Sequence, residues 1–570
     1  MKNKKYILTA VAAASLLLGA SSCSDSFLDE NPMSSYVPGG ATNDKTIEAN
    51  LKGIYYIYGQ LWGWSGHQGF LSCWHIGTDV ASAGATEGVE TPFYQYAELN
   101  EENAGVNYMW EKQYEMINAA NNIIAALGEE TANKAGLAEA KFFRGYAYNI
   151  LVTLWGKVPL ITEPTTAPRT DYIRDEIEKI DAQIESDLKY ACENMLEVDA
   201  TASESRVNRY VAMQALGEAY LRMGMRDSKY FAMAENVLSS VIGSGKYSLI
   251  KQRYGNTSQG GDYYSDMFKW GKQRRSQGNT EGIWTYEMEY GRDVTGGTID
   301  NPQHRRVWVP AFHKRDGMIN ADSLGGRGNG RLRLSNWVKY VLYQEGDIRN
   351  SNYNIRRVLY YNRPDWSGTI QLDNRGFQYD EADKFSKESG KGPLLSVKTG
   401  DRFIPFASDS IEVFGPYTTK WGCYDVTDDF GYACVKDWPV MRLGETYLLR
   451  AEARFRQGNL VGAAEDINVL RDRAFLESRQ KTGNPNLGKV FADDITLDFI
   501  LDERARELVA EENRRMTLVR TNTLLERAKL NVDGAKPITG LAEHNLLLPI
   551  PLNDIQLNKD AKLEQNPGYK

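Results

Sequence analysis

Four residues at fixed offsets constrain this chain more than anything else in it. In "AEARFRQGNLVGAAEDINVL", Ala451, Gly458, Ala463 and Ile467 have the spacing of a tetratricopeptide helix pair: small, small, small, bulky. The reason is steric, because two helix axes approach closely only where side chains at the crossing are small. "ALGEAYLRMG" carries the first half of the same pattern at Leu216, Gly217 and Tyr220, and "FAMAENVLSSVI" supplies a second helix after a few extra residues. Apolar residues recur at helical spacing from about Asp44 to Ile242 and again from about Pro439 to Leu530. A single hairpin of this kind leaves one apolar face bare, so the units are expected to stack. The predicted fold class is mainly α: a tetratricopeptide-like helical-hairpin scaffold of about four helix pairs, with a large irregular loop-rich subdomain. Generic antiparallel helix pairs are the alternative origin of the pattern.

The irregular part is expected at 243–438. It is rich in Gly, Asn, Asp and aromatic residues, and only "GIWTYEMEY" and "RRVLYYN" read as short strands. Stretches of this length without regular structure are functional or disordered, and the aromatics argue against disorder. The chain has 33 Tyr and 12 Trp, many of them in Gly-rich stretches. A sugar-binding surface needs exposed flat rings: the apolar face of a pyranose lies on the ring while its hydroxyls reach Asp, Asn or Arg at the edge. For any single ring the competing role is core. Core is the reading for "AEAKFFRGYAYNILVTLWGKVPL", where Phe142, Tyr146, Ile150 and Trp155 recur at helical spacing.

The N-terminus has the three parts of a secretory signal. Lys2, Lys4 and Lys5 precede an apolar core, Ile7 to Ala20, and small residues then lead into Cys23. That core has 14 residues, whereas about 20 are needed to span a bilayer. Cysteine directly after small residues looks like a bacterial lipobox, in which Cys23 becomes the acylated first residue and residues 1–22 are removed. More than one acyl chain gives stable anchoring. An ordinary cleaved signal with an incidental cysteine is the alternative.

The net charge of −8 falls further when the three signal lysines are removed. An acidic body argues against nucleic acid as a partner, since a phosphate backbone needs clustered Lys and Arg. Motifs for catalysis are poor. The five histidines form no H-E-x-x-H or paired ligand spacing, "GWSGH" lacks the last glycine of a nucleophile elbow, and "GGRGNGR" has no Lys-Ser/Thr end. "DVTDDFG" has its glycine one position too late for an EF-hand. No metal and no cofactor is expected. Cys423 and Cys434 flank "YDVTDDFGYA" and read equally as a disulfide or as two buried thiols. "DERARELVAEENRR" reads as an exposed helix face with i,i+4 Glu–Arg pairs.

Five segments in order then resemble the SusD/RagB family of Bacteroidetes outer-membrane lipoproteins: "CSDSFLDENP" (Cys23 to Pro32), "AEAKFFRGYAYNILVTLWGKVPLITEP" (Ala138 to Pro164), "RLGETYLLRAEARFRQGN" with "AAEDINVLRDRA" (Arg442 to Ala474), "ERARELVAEENRRMTLVR" (Glu503 to Arg520) and "LLPIPLNDIQLNKDAKLEQNPGY" (Leu547 to Tyr569). Trp155 stands where Tyr is common, and Met516 where Trp is common. The resemblance implies a signal at 1–22, an N-terminal scaffold part at 23–242, the irregular ligand-binding region at 243–438 and a C-terminal scaffold part at 439–570. It implies a non-enzymatic, lipid-anchored protein on the outer face of the outer membrane. Such a protein captures a glycan, or in a RagB-like minority a peptide, and delivers it to a SusC-like TonB-dependent transporter. The family's sites draw on the loop after the first helix and on the central region. Trp74 and Asp79 in the first, and Trp308, His304 and Trp366 in the second, are the expected ligand-binding residues.

Overall fold

Asparagine starts four of the scaffold helices. Asn103 accepts hydrogen bonds from the Gly105 and Val106 amides, and Asn133 from Gly136. Asn208 does the same for Tyr210 and Val211, and Asn459 for Gly462. Each side chain satisfies amide donors that the first turn cannot pair. In the computed structural model the long helices are α1 (Asp44–Trp62), α2 (Ala104–Leu127), α3 (Lys134–Trp155), α4 (Ile177–Asn194), α5 (Arg209–Gly224), α6 (Lys229–Ile242), α7 (Leu443–Arg456), α8 (Leu460–Ala474) and α9 (Leu497–Leu508). The structure describes residues 44–62, 68–288, 303–373, 378–379, 391–403, 414–426, 429–430, 434 and 436–570. Cys23 and the segment 1–22 lie outside them. Residues 47–570 form one compact unit.

The helices α2 to α6 pack each on the next, and α7 then packs on α6 and α8 on α7. The second helical block therefore continues the stack where the first one stops. The small residues do what their spacing implies. A Cβ on Gly217 would stand 2.7 Å from Leu238 of α6, and one on Gly145 of α3 would stand 3.1 Å from Leu188 of α4. Ala451, Ala463 and Ile467 are fully buried, and Gly458 takes φ +78° in the turn between α7 and α8. Phe142, Ile150 and Trp155 are core, and Tyr146 packs against it partly buried.

An antiparallel strand pair carries the chain into and out of the central excursion. Strand β1 (Gly282–Tyr286) pairs with β2 (Trp438–Arg442), placing Tyr286 opposite Trp438 and Gly282 opposite Arg442. The excursion leaves α6 far behind in sequence, yet returns to the stack beside the point where it left. It has a second apolar core of its own around Val309, Phe312, Leu359, Phe403 and Tyr417. "RRVLYYN" holds the short strand Leu359–Tyr360 and begins on the last residue of another, Ile355–Arg356.

One expectation changes. The run "DERARELVAEENRR" is not an exposed face: Glu503, Arg504 and Glu507 are fully buried, and Arg514 and Arg515 nearly so. Their partners come from far along the chain. Arg349 meets Asp347, Glu503 and Glu507, while Arg442 and Arg473 both meet Glu281 and Glu507. Sequence-local pairing could not show this, because a buried charge needs a partner of any sequence separation. Cys73, Cys192, Cys423 and Cys434 are free, buried thiols, with Cys423 and Cys434 packed against each other.

Candidate ligand-binding groove

The loop after α1 and the central region do meet, but inside the protein. The short helix His304–Trp308 packs on the helix Gln68–Ser72. Trp74 is fully buried against Trp62 (centroids 5.0 Å apart), and Trp308 is buried with its ring 5.1 Å from that of His75. Neither ring has a face free for a ligand, so Trp74 and Trp308 are core residues and not stacking platforms. Asp79 is corrected too. Its carboxylate is fully buried and saturated: Arg514 Nε donates to Oδ1 at 2.8 Å, and Arg514 Nη2 (2.7 Å) and Arg527 Nε (2.9 Å) donate to Oδ2. His304 is buried, stacked on Trp421 at 3.9 Å and edge-on to Trp438 at 4.6 Å. Burial first, then His75 and Lys436, hold its pKa well below 6.5. It lines a cavity of about 110 Å³ whose other walls include Glu445, Arg504 and Glu512 of the scaffold. Trp366 alone of the five keeps partial exposure. It stacks on Tyr361 at 4.9 Å, over Gly317 and Gly368.

The structure places a different set of rings around an open groove of about 550 Å³ in the central region. Trp270 (43% exposed) and Tyr353 (46% exposed) stand on its walls, with Tyr424 half-buried beside them. The segments that carry the rings are anchored. Trp270 follows the short helix Tyr263–Asp266, whose Tyr263 and Tyr264 are buried and anchored through their hydroxyls to the Arg473 and Glu507 carbonyls at 2.6 Å. Tyr353 lies over Gly260, where an added Cβ would come 3.2 Å from its hydroxyl, and the Thr419 hydroxyl donates to its carbonyl at 2.6 Å. Gly325 and Gly326, at φ +80° and +76°, let the "GGRGNGR" segment press on the other wall: a Cβ on Gly326 would overlap the Cys423 carbonyl. That close approach, and not phosphate binding, is what these glycines do.

Polar groups line the same groove. Arg356 donates to the Tyr417 hydroxyl at 3.2 Å, which in turn donates to the Leu324 carbonyl at 2.8 Å. Lys269 donates to the Gly260 carbonyl at 2.6 Å and pairs with Asp266 at 3.3 Å. Asp322 and Gln259 are exposed at the rim. Flat rings with donors and acceptors in the same groove can hold a ligand that has apolar faces and hydroxyl edges. A second hollow of about 620 Å³ lies between α2 and the C-terminal segment, but its rings are buried or half-buried, and Arg169 covers Tyr172 at 4.8 Å.

Residues 410–569 match the SusD family, and residues 70–221 match a family described as starch-binding, associating with the outer membrane. SusD-like protein P25 of Formosa agariphila is 25% identical, across 97% of this chain and 98% of that one. The starch-binding protein SusD of Bacteroides thetaiotaomicron is 25% identical, across 76% of this chain and 72% of that one. Among solved structures, a laminarin-binding SusD-like protein superposes with TM-score 0.63 at 21% identity, and surface glycan-binding protein A from Bacteroides fluxus with TM-score 0.66 at 19%. Each spans 93% of this chain and all of its own, which establishes the shared fold.

Proposed function

This chain is a member of the SusD-like family, and we propose that it binds a glycan in the groove walled by Trp270, Tyr353 and Tyr424. The observation that carries the reading is the pair of exposed rings in a groove that charged and amide groups also line. A pyranose would stack on Trp270 or Tyr353, and its hydroxyls would take hydrogen bonds from Arg356 and Lys269 and give them to Asp322. No bond is broken in this reading. The relatives' printed names, which include starch and laminarin binding, support the ligand class. The captured glycan would pass to a SusC-like TonB-dependent transporter, with the protein held at the outer membrane through acyl chains on Cys23.

Affinity and melting temperature decide between a groove ring and a core ring. Trp270→Ala and Tyr353→Ala are each expected to lose on the order of 1–3 kcal/mol of binding, by analogy with ring stacking on bases. That is roughly a tenfold to hundredfold loss, with melting unchanged. A polysaccharide panel beginning with laminarin and starch supplies the ligands, and a tryptic peptide mixture supplies the rival peptide class. Binding to peptides but to no polysaccharide would defeat the glycan reading. Mass spectrometry of the native N-terminus tests the anchor: a lipid adduct on Cys23 is expected, and an unmodified start at Ser24 would rule it out.

A further inference from the structure

We propose that Cys423 and Cys434 close into a disulfide that fastens the groove wall carrying Tyr424. The two sulfurs belong to one buried cluster with no third member among the described residues, at 2% and 0% exposure. Cys423 lines the groove itself, one residue before Tyr424. The site around the pair is cationic and fixed. Arg305 Nη1 donates to the Cys423 carbonyl at 2.9 Å. The Lys436 ammonium is held by the carbonyls of Phe268 (2.7 Å), Lys420 (2.5 Å) and Gly422 (2.9 Å). The other two cysteines are placed differently. Cys73 donates to the Gly69 carbonyl at 3.3 Å and sits against Gly105, and Cys192 lies within α4 of the scaffold.

The pair is also chemically unequal. The hydrogen bond from Cys423, with Lys436 and Arg305, brings the Cys434 thiol down to about 6 against the effect of burial, while Cys423 is pushed up. Burial pushes the isolated Cys192 up to about 12. That inequality belongs to the packed segment; before packing either thiol can attack first, and the step balances in the same way with Cys434 as the attacker. The oxidant is an external disulfide, of the glutathione or thiol-oxidase class. Cys434 Sγ attacks one of its sulfurs and expels a thiolate, forming a mixed disulfide. Cys423, deprotonated by that leaving thiolate, then attacks Cys434 Sγ and expels the second thiol. One donor disulfide is reduced to two thiols as one protein disulfide forms. Neither sulfur is open to solvent in the folded chain, so the exchange precedes the packing of this segment during folding. In the cell this rests on the proposed export to an oxidising compartment; the test below does not.

The full chain, reduced and denatured, is refolded in a buffer of reduced and oxidised glutathione, then alkylated in denaturant and digested. The expected product is a Cys423–Cys434 cross-linked peptide, 2 Da lighter than its reduced form, with Cys73 and Cys192 alkylated. Alkylation of both Cys423 and Cys434, a stable glutathione adduct on either, or a cross-link to another cysteine overturns the proposal. Hydrogen exchange gives the second readout. Reduction should speed exchange several-fold in the 423–434 peptide and leave the α7–α8 peptides unchanged, and the Cys423→Ser/Cys434→Ser variant should match the reduced protein. Equal exchange in oxidised and reduced protein would refute the fastening role. Neither readout uses a glycan, so failure here is separate from failure of the glycan reading.

Discussion

Replacing Glu507 by glutamine removes one charge and almost no volume. The carboxylate is fully buried on α9. Arg442 Nη1 donates to Oε1 at 2.5 Å, Arg473 Nη2 donates to the same oxygen, and Arg349 Nη1 donates to Oε2 at 2.9 Å. Each arginine keeps a second acid, Glu281 for Arg442 and Arg473 and Asp347 for Arg349, so none becomes solitary. Three charge-assisted hydrogen bonds still become bonds to a neutral amide, whose NH2 must face a guanidinium. Breaking one partner out of a buried ion pair costs about 3–5 kcal/mol, and that range is expected for Glu507→Gln. With an unfolding entropy of about 2.1 cal/mol/K per residue, the roughly 520 residues of this unit convert it to a fall in melting temperature of about 3–5 °C. The acid limb should change as well. Burial by itself would raise the Glu507 pKa, but Arg473, Arg442 and Arg349 outweigh burial and hold it well below 4.5. Glu503 is held down to about 2 in the same way by Arg349, Arg471 and Arg506. Such acids add stability that is complete above the unfolded value of about 4.5 and disappears as pH falls below it. Calorimetry at pH 7 and pH 4 should find the variant closer to wild type at pH 4. Glu564→Gln, at an exposed pair with Lys562, serves as the control and should not shift melting at all. An unchanged or raised melting temperature for Glu507→Gln at pH 7 would refute the reasoning, because the cluster would then tolerate a missing anion.

Asp79→Asn should lower stability by about 3–5 kcal/mol, since Arg514 and Arg527 lose their shared buried anion. Polysaccharide binding by the folded variant should be intact, and selective loss of binding would return Asp79 to a ligand role. Glu445 gives the opposite pH effect to Glu507: burial raises its pKa to about 7. The folded state thus binds its proton more tightly than the unfolded state, and stability on the order of 3 kcal/mol is lost as pH rises from about 4.5 to 7. Glu445→Gln should flatten stability across pH 5–8 in urea titrations, and an unchanged slope would show that the acid does not titrate there.

The scaffold was legible because its signals are local. The offsets of Ala451, Gly458, Ala463 and Ile467 lie within one hairpin, and Gly217 meets Leu238 on the very next helix. The buried charges at Glu503 and Glu507 were not legible, because their partners Arg349, Arg442 and Arg473 lie in three other segments. Trp74 and Trp308 drew attention as tryptophans in loop-like stretches, but their flanks are apolar, "FLSCWHI" and "VWVPAF", and such flanks bury a ring. Trp270, Tyr353 and Tyr424 have polar or glycine flanks in "FKWGK", "SNYNI" and "GCYDV". That contrast in flanking residues is local and legible in the sequence. What no sequence pattern holds is their convergence. Trp270 and Tyr353 lie between the two family-matched segments, and Tyr424 lies inside the second.

The pairing of β1 with β2 separates two kinds of freedom. Because the chain leaves and rejoins the stack at adjacent strands, the length between those points is weakly constrained: doubling a loop costs only about 0.6 kcal/mol in closure entropy. The segment between the two strands can therefore change in length while the stack stays fixed. Arg349 and Lys420 limit that change. They belong to the excursion, and they pair with Glu503, Glu507 and Glu511 beneath it. Any substitute module must present two cations at those positions, or leave the acids under it unanswered.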